Sequence, residues 1–200
     1  MSVKDKFFEK YKIVLPKWML EFSGKAYICP KPMFFQYSPA HHKVNGQEVR
    51  MILNNLKDGD ILLRRYDGYL NSIFTPGFWG HGAIYHSNGT IIHAVSQGVV
   101  SEDILEFCRC DSIAVLRVKN VTEEQVKKAL NTADVLLGSK VQYDYRFETG
   151  NDKVYCTELV DICYDNIFKD EYSEELGNKL LTPGHIFCSD HIEKILVVKH

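Results

Sequence analysis

Six cysteines and eight histidines supply the side chains able to act as nucleophiles or bases near neutral pH. One cysteine has unusual surroundings. Cys156 stands in the run Tyr155-Cys156-Thr157-Glu158-Leu159-Val160. The apolar spacing Leu159, Val160, Cys163, Ile167 predicts a helix that begins at Cys156, and Asn151, Asp152 and Lys153 before it are turn formers. A thiol at a helix N-terminus meets the positive end of the helix dipole, which stabilises a thiolate. The free N–H groups there can also hold an oxyanion. Cys163 and Cys188 lack that context and read as ordinary packed thiols. Cys108 and Cys110 flank a single residue, too close for a common disulfide and tighter than the usual zinc spacing.

A cysteine nucleophile needs a base. His81 and His93 lie twelve residues apart in a segment that reads as a β-hairpin, Gly82 to His86 and Thr90 to Val95. The turn decides whether they cooperate. A two-residue turn at Asn88 and Gly89 would pair His93 with Ile84 and put His81 on the other face. A three-residue turn, Ser87-Asn88-Gly89 with Gly89 left-handed, pairs His86 with Thr90. His93 then faces Ala83, on the side of His81, at a diagonal separation of about 7–8 Å that two imidazoles can bridge. A Cys–His–His site requires the three-residue turn. The remaining histidines, His41, His42, His86, His185, His191 and His200, read as ordinary polar residues.

The elements that must position these groups are legible in part. Residues 1–22 have the pattern of an amphipathic helix. Residues 23–44 read as irregular, broken by Pro30, Pro32 and Pro39 and anchored by Tyr27, Phe34, Phe35 and Tyr37. A short helix over 47–56, a turn at 57–60 and a strand at Ile61-Leu62-Leu63 come next. A glycine- and aromatic-rich loop, 67–80, leads into the hairpin. Ser112 to Lys119 is a strand. Thr122 and Gln125 form a capping box that opens a helix running to Leu137, with Gly138 as its stop. A second helix spans Cys156 to Phe168, and the tail after Asp190 ends in a strand. Strands flanked by helices, without linkers, make a single α+β domain. Its boundaries are an N-terminal helical and irregular extension (1–56), a core (57–168) and a C-terminal extension (169–200).

These motifs form an ordered set. Gly59-Asp60-Ile61-Leu62, Gly80-His81-Gly82-Ala83-Ile84-Tyr85, Ile91-Ile92-His93-Ala94, Tyr143-Asp144-Tyr145 and the Cys156 run together resemble the circularly permuted NlpC/P60 superfamily. The likeness is to its YiiX/YebB-like branch, which includes poxviral members, with the lecithin:retinol acyltransferase-like enzymes as cousins. It covers roughly 57–168, with the histidines before the cysteine. The resemblance implies a papain-like antiparallel sheet packed against helices. It implies Cys156 as nucleophile, His81 as general base and His93 as the group that orients His81, where many bacterial members carry glutamate. Tyr155, beside the nucleophile, is then placed to polarise a substrate carbonyl.

The reading that follows is a papain-like cysteine hydrolase or acyltransferase, working through a thioester on a peptide, amide or lipid substrate. Two other classes fit the same residues. One is a non-catalytic lipid- or peptide-binding module on the same fold. The other is a zinc site of Cys156, His81 and His93, which lacks a convincing further ligand. Asp144 reads either as a substrate contact or as a brace, and Trp79 with Phe78 and Phe74 as an apolar lip or a loop anchor. Glu158, two positions past Cys156, points away around the helix and reads as structural. No metal or other cofactor is expected.

Composition narrows the classes further. Hydrophobic residues make up 45% and charged residues 25% of the 200, ordinary for a globular domain. A net charge of -2 offers no attractive field for phosphates, which argues against nucleic-acid binding. No apolar run reaches the roughly 18 residues of a membrane span. The apolar runs of 1–22 are shorter than a signal-peptide core, so the expected location is the cytoplasm.

Overall fold

The structure is a computed structural model that describes residues 26–30, 33–37, 42–68, 77–148, 152–175 and 177–200. The helix expected over 1–22 and the tip of the 67–80 loop, including Phe74 and Pro76, lie outside the described residues. Within 23–44 the chain is more regular than expected. β1 (Ala26–Pro30) and β2 (Met33–Tyr37) pair antiparallel with Pro30 opposite Met33. Proline at a strand end costs no ladder hydrogen bond, and the aromatic residues that looked like anchors are good strand formers.

α1 (Gly46–Asn55) starts from Asn45, whose side-chain oxygen accepts the Gln47 and Glu48 N–H groups. The chain then enters β3 (Ile61–Arg65), β4 (His81–His86), β5 (Thr90–Val95) and β6 (Gly98–Asp103). A one-turn helix, α2 (Ile104–Phe107), leads to β7 (Ser112–Val118) and the long α3 (Glu123–Gly138). The capping box forms: Gln125 N–H donates to Thr122 Oγ1 at 3.2 Å and Thr122 N–H to Gln125 Oε1 at 2.7 Å. Gly138 does not stop the helix. It is the last helical residue, and the left-handed reversal falls at Lys140 (φ 51°).

Short parallel strands β8 (Gln142–Tyr143) and β9 (Lys153–Val154) precede α4 (Cys156–Cys163). α4 is shorter than the helix expected to Phe168. Asp165 and Asn166 adopt left-handed φ of 55° and 60°, and Asp161 Oδ1 accepts the Phe168 N–H at 2.8 Å, turning the chain away. A hairpin of β10 (Ser173–Glu175) and β11 (Asn178–Leu180), then α5 (Pro183–Cys188) and β12 (Ile192–Val198), complete the chain.

Six strands form one antiparallel sheet in the order β12-β7-β3-β4-β5-β6. Segment 169–200 therefore supplies an edge strand as well as α5. Alternation along the strands sorts side chains to two faces. Ile61, Leu63, Ile84, Ile92 and Leu116 face a core shared with α3, α4 and α5. Leu62, Ala83, Ile91, Ile113 and Val115 face a second core with Ile52 of α1 and Phe107 of α2. The sheet is thus covered on both sides. That explains why β3 and β7 carry apolar runs with no polar alternation.

Candidate active site

The β4–β5 turn has the form that a histidine pair needs. His86 pairs with Thr90, Tyr85 with Ile91 and Ile84 with Ile92, leaving Ser87, Asn88 and Gly89 in the loop. Both Asn88 (φ 64°) and Gly89 (φ 79°) are left-handed, which asparagine and glycine tolerate best. His81 and His93 therefore project from one face, and His81 Nε2 lies 3.0 Å from His93 Nδ1. Their ring centroids are 5.1 Å apart, with Phe107 packed near both.

The β4–β5 ladder stops at Ile84 and Ile92. Past that point β4 continues to pair with β3 as far as His81, and β5 with β6 as far as Val95. The sheet is split at the level of the histidines. The Tyr85 N–H donates to Asp60 O at 2.7 Å, so in the alternating antiparallel pattern the Gly82 N–H points the other way, into the split. It meets the Cys156 thiol there.

Cys156 is the first residue of α4, after a Tyr155 cap in extended conformation. Three contacts fix this helix end, one to the segment after β11, one within the cap and one to β4. Thr157 Oγ1 donates to Leu181 O at 2.6 Å, Glu158 Oε2 accepts the Tyr155 N–H at 3.4 Å, and Gly82 packs without a side chain against Thr157. A Cβ on Gly82 would sit 3.4 Å from Thr157 Cγ2 and Leu63 Cδ2. That is van der Waals contact, so α4 lies close against β4 at this point.

The site is dry. Cys156 is only 7% exposed, and burial pushes its thiol up, partly offset by the backbone N–H groups of Gly82, Thr157 and Cys156 itself. Burial and the neighbouring Arg64 charge hold both imidazoles down, His93 to about 3 and His81 well below its ordinary value. Burial thus disfavours the charged form of the thiol and of both imidazoles.

The other expected site residues are placed as follows. The Tyr155 hydroxyl accepts the Leu181 N–H at 3.1 Å and braces the β11–α5 segment. The Asp144 carboxylate accepts the Arg146 and Glu148 N–H groups at 2.8 and 2.6 Å, which organises its own loop. Trp79 is 2% exposed and packs against Phe78 and Phe187 in the first core. Glu158 is buried at the Tyr155 cap, as a structural role requires.

One neighbour of the thiol was not anticipated. Pairing of Tyr143 with Val154 across β8 and β9 brings the Tyr143 side chain into electrostatic range of Cys156. The motif Tyr143-Asp144-Tyr145 contained it, but nothing in the sequence reports which of its side chains turns toward the thiol. Among the described residues no three His, Cys, Asp or Glu side chains converge in an arrangement that would hold a metal ion. The His81 and His93 nitrogens closest to each other are turned on one another rather than on a common point.

The family comparison agrees with this architecture. A family described as permuted papain-like amidase enzyme, YaeF/YiiX, C92 family, matches residues 55–196. Comparison with curated proteins and with solved structures gave no match.

Proposed function

We propose that this chain, which belongs to the permuted papain-like amidases, cleaves an amide- or ester-linked substrate through Cys156, His81 and His93. The observation that carries the reading is the imidazole pair, 3.0 Å apart, at a split in the sheet where the Cys156 thiol meets the Gly82 N–H. His81 Nε2 is engaged with His93, so Nδ1 is the nitrogen left to take the thiol proton. As it does, Sγ attacks the carbonyl carbon, and in this reading the backbone N–H groups at the start of α4 receive the developing oxyanion, with the Tyr143 hydroxyl as a further donor. His81 returns the proton to the leaving amine or alcohol, leaving a thioester on Cys156. Water, deprotonated by His81, then releases the acid and restores the thiol.

Because burial disfavours charge on both partners, in this reading proton transfer accompanies attack instead of preceding it. The substrate class we favour is an amide or ester, with a lipid-linked acyl group among the candidates. Incubation of wild type and Cys156→Ser with panels of peptide, lipid-amide and ester substrates tests the reading. We expect turnover by wild type, an acyl adduct on Cys156 by intact-mass spectrometry, and a loss on the order of 10⁴-fold or more in the variant. Equal turnover by both proteins would reject Cys156 as the nucleophile.

A further inference from the structure

A fourth polar group stands behind the imidazole pair. Glu102 lies on β6, opposite Ile91 and diagonal to His93, whose direct partner is Val100. Its Oε2 is 3.9 Å from His93 Nε2. The same oxygen accepts from Arg64 Nη1 at 3.3 Å. Arg64 belongs to β3, where it pairs with His81, so its side chain crosses the face over both histidines to reach a strand beyond them. Its guanidinium carbon rests 4.3 Å above the Phe107 ring, which floors the same cluster. Phe107, Arg64 and Glu102 thus enclose the imidazoles on the side away from α4.

This arrangement bears on which nitrogen carries each proton. Two neutral imidazoles joined Nε2 to Nδ1 can share one hydrogen in two ways. If His93 donates from Nδ1, His81 accepts at Nε2, its own proton sits on Nδ1, and it cannot take a proton from the thiol there. If His81 donates from Nε2, its Nδ1 is bare and His93 carries its proton on Nε2, directed at Glu102. Only the second arrangement leaves a base for Cys156. A carboxylate accepts and cannot donate, so Glu102 favours the proton on His93 Nε2 and thereby the second arrangement.

We infer that Glu102, held by Arg64, is a positioning residue that selects the reactive tautomer of the His93–His81 pair. Resting on the Cys156–His81 reading above, this extends the site from three residues to a chain that ends on β6. The 3.9 Å separation is longer than a hydrogen bond. It closes to a hydrogen bond when His81 takes the thiol proton and positive charge spreads toward His93. The Arg64 guanidinium, 3.3 Å from Glu102 Oε2, pairs with that carboxylate.

Two readouts on the full chain test this. Nitrogen-15 spectra of the imidazoles distinguish Nδ1–H from Nε2–H tautomers, assigned with His81→Asn and His93→Asn. Iodoacetamide labelling of Cys156 against pH reports the base. We expect wild type to show Nε2–H at both histidines. Glu102→Met should mix the tautomers and slow Cys156 labelling about tenfold, a fraction of a full general-base contribution. Glu102→Gln, which retains an acceptor, should fall between. The double variant Arg64→Met/Glu102→Met, which leaves no uncompensated charge, should repeat the effect if the single variant folds poorly. Unchanged tautomers and a superimposable pH profile in Glu102→Met would overturn the inference. Failure of wild-type Cys156 to label faster than Cys163 would instead reject the nucleophile reading, and the imidazole spectra would still decide the role of Glu102.

Discussion

α4 carries a cysteine at each end, and the two are a natural experiment. Cys156 is 7% exposed and Cys163 is 2% exposed, so both are buried. Burial pushes both thiols up, and at Cys163, where burial acts alone, to about 12. At Cys156 three backbone N–H groups oppose that rise, and an imidazole pair stands across the split in the sheet. Helix ends differ because the first N–H groups of a helix have no partner within it, whereas its last residues present carbonyls. Exposure is therefore not what separates the two thiols. Placement at the amino end, against an unpaired strand edge, is.

The contrast can be broken most severely at the base. His81→Ala should slow iodoacetamide labelling of Cys156 by about 10²-fold while labelling of Cys163 stays at its slow wild-type rate. Because burial disfavours charge on both Cys156 and His81, Cys156 labelling should rise steadily with pH, without a plateau at acidic pH. A plateau near pH 5 would show a preformed thiolate and contradict the charge state described above.

A smaller effect is expected from closing the space between α4 and β4. Gly82→Ala places a methyl 3.4 Å from Thr157 and Leu63. Because those are contact distances, it should cost no more than about 1 kcal/mol in denaturant-induced unfolding and affect the Cys156 end of the helix more than the Cys163 end. Hydrogen exchange along α4 reads that asymmetry, and uniform protection would contradict it.

The smallest effect concerns acid stability. His81 and His93 are held below their ordinary value near 6.5 in the folded chain. Between that value and the lowered ones, the unfolded chain binds more protons, so stability falls as pH drops below about 6.5. His93→Asn should flatten this dependence in thermal melts from pH 7 to pH 4, while Cys163→Ala should leave its slope unchanged.

Legibility differed among these features for physical reasons. The three-residue turn could be weighed in advance because strand parity permits only two outcomes, and Asn88-Gly89 suits left-handed backbone. The helix start at Cys156 followed from apolar spacing. β6 was missed because Gly98 to Asp103 is short and ends in Ser101, Glu102 and Asp103, which resemble a loop in isolation. Missing β6 also hid Glu102. Tyr143 escaped because its nearness to Cys156 arises from a parallel contact of two residues per strand between distant segments.

Order and residue type were present in the chain from the start: a thiol at a helix N-terminus, two histidines twelve apart, and a glycine-bearing turn between them. Those are local properties, governed by backbone preferences and side-chain alternation. Tertiary structure decided the rest. It split β4 from β5, brought Arg64 and Glu102 across the sheet to the imidazoles, and buried Cys156 and His93. Burial then set the charges, because desolvation and the Arg64 field act only once the chain has closed around the site.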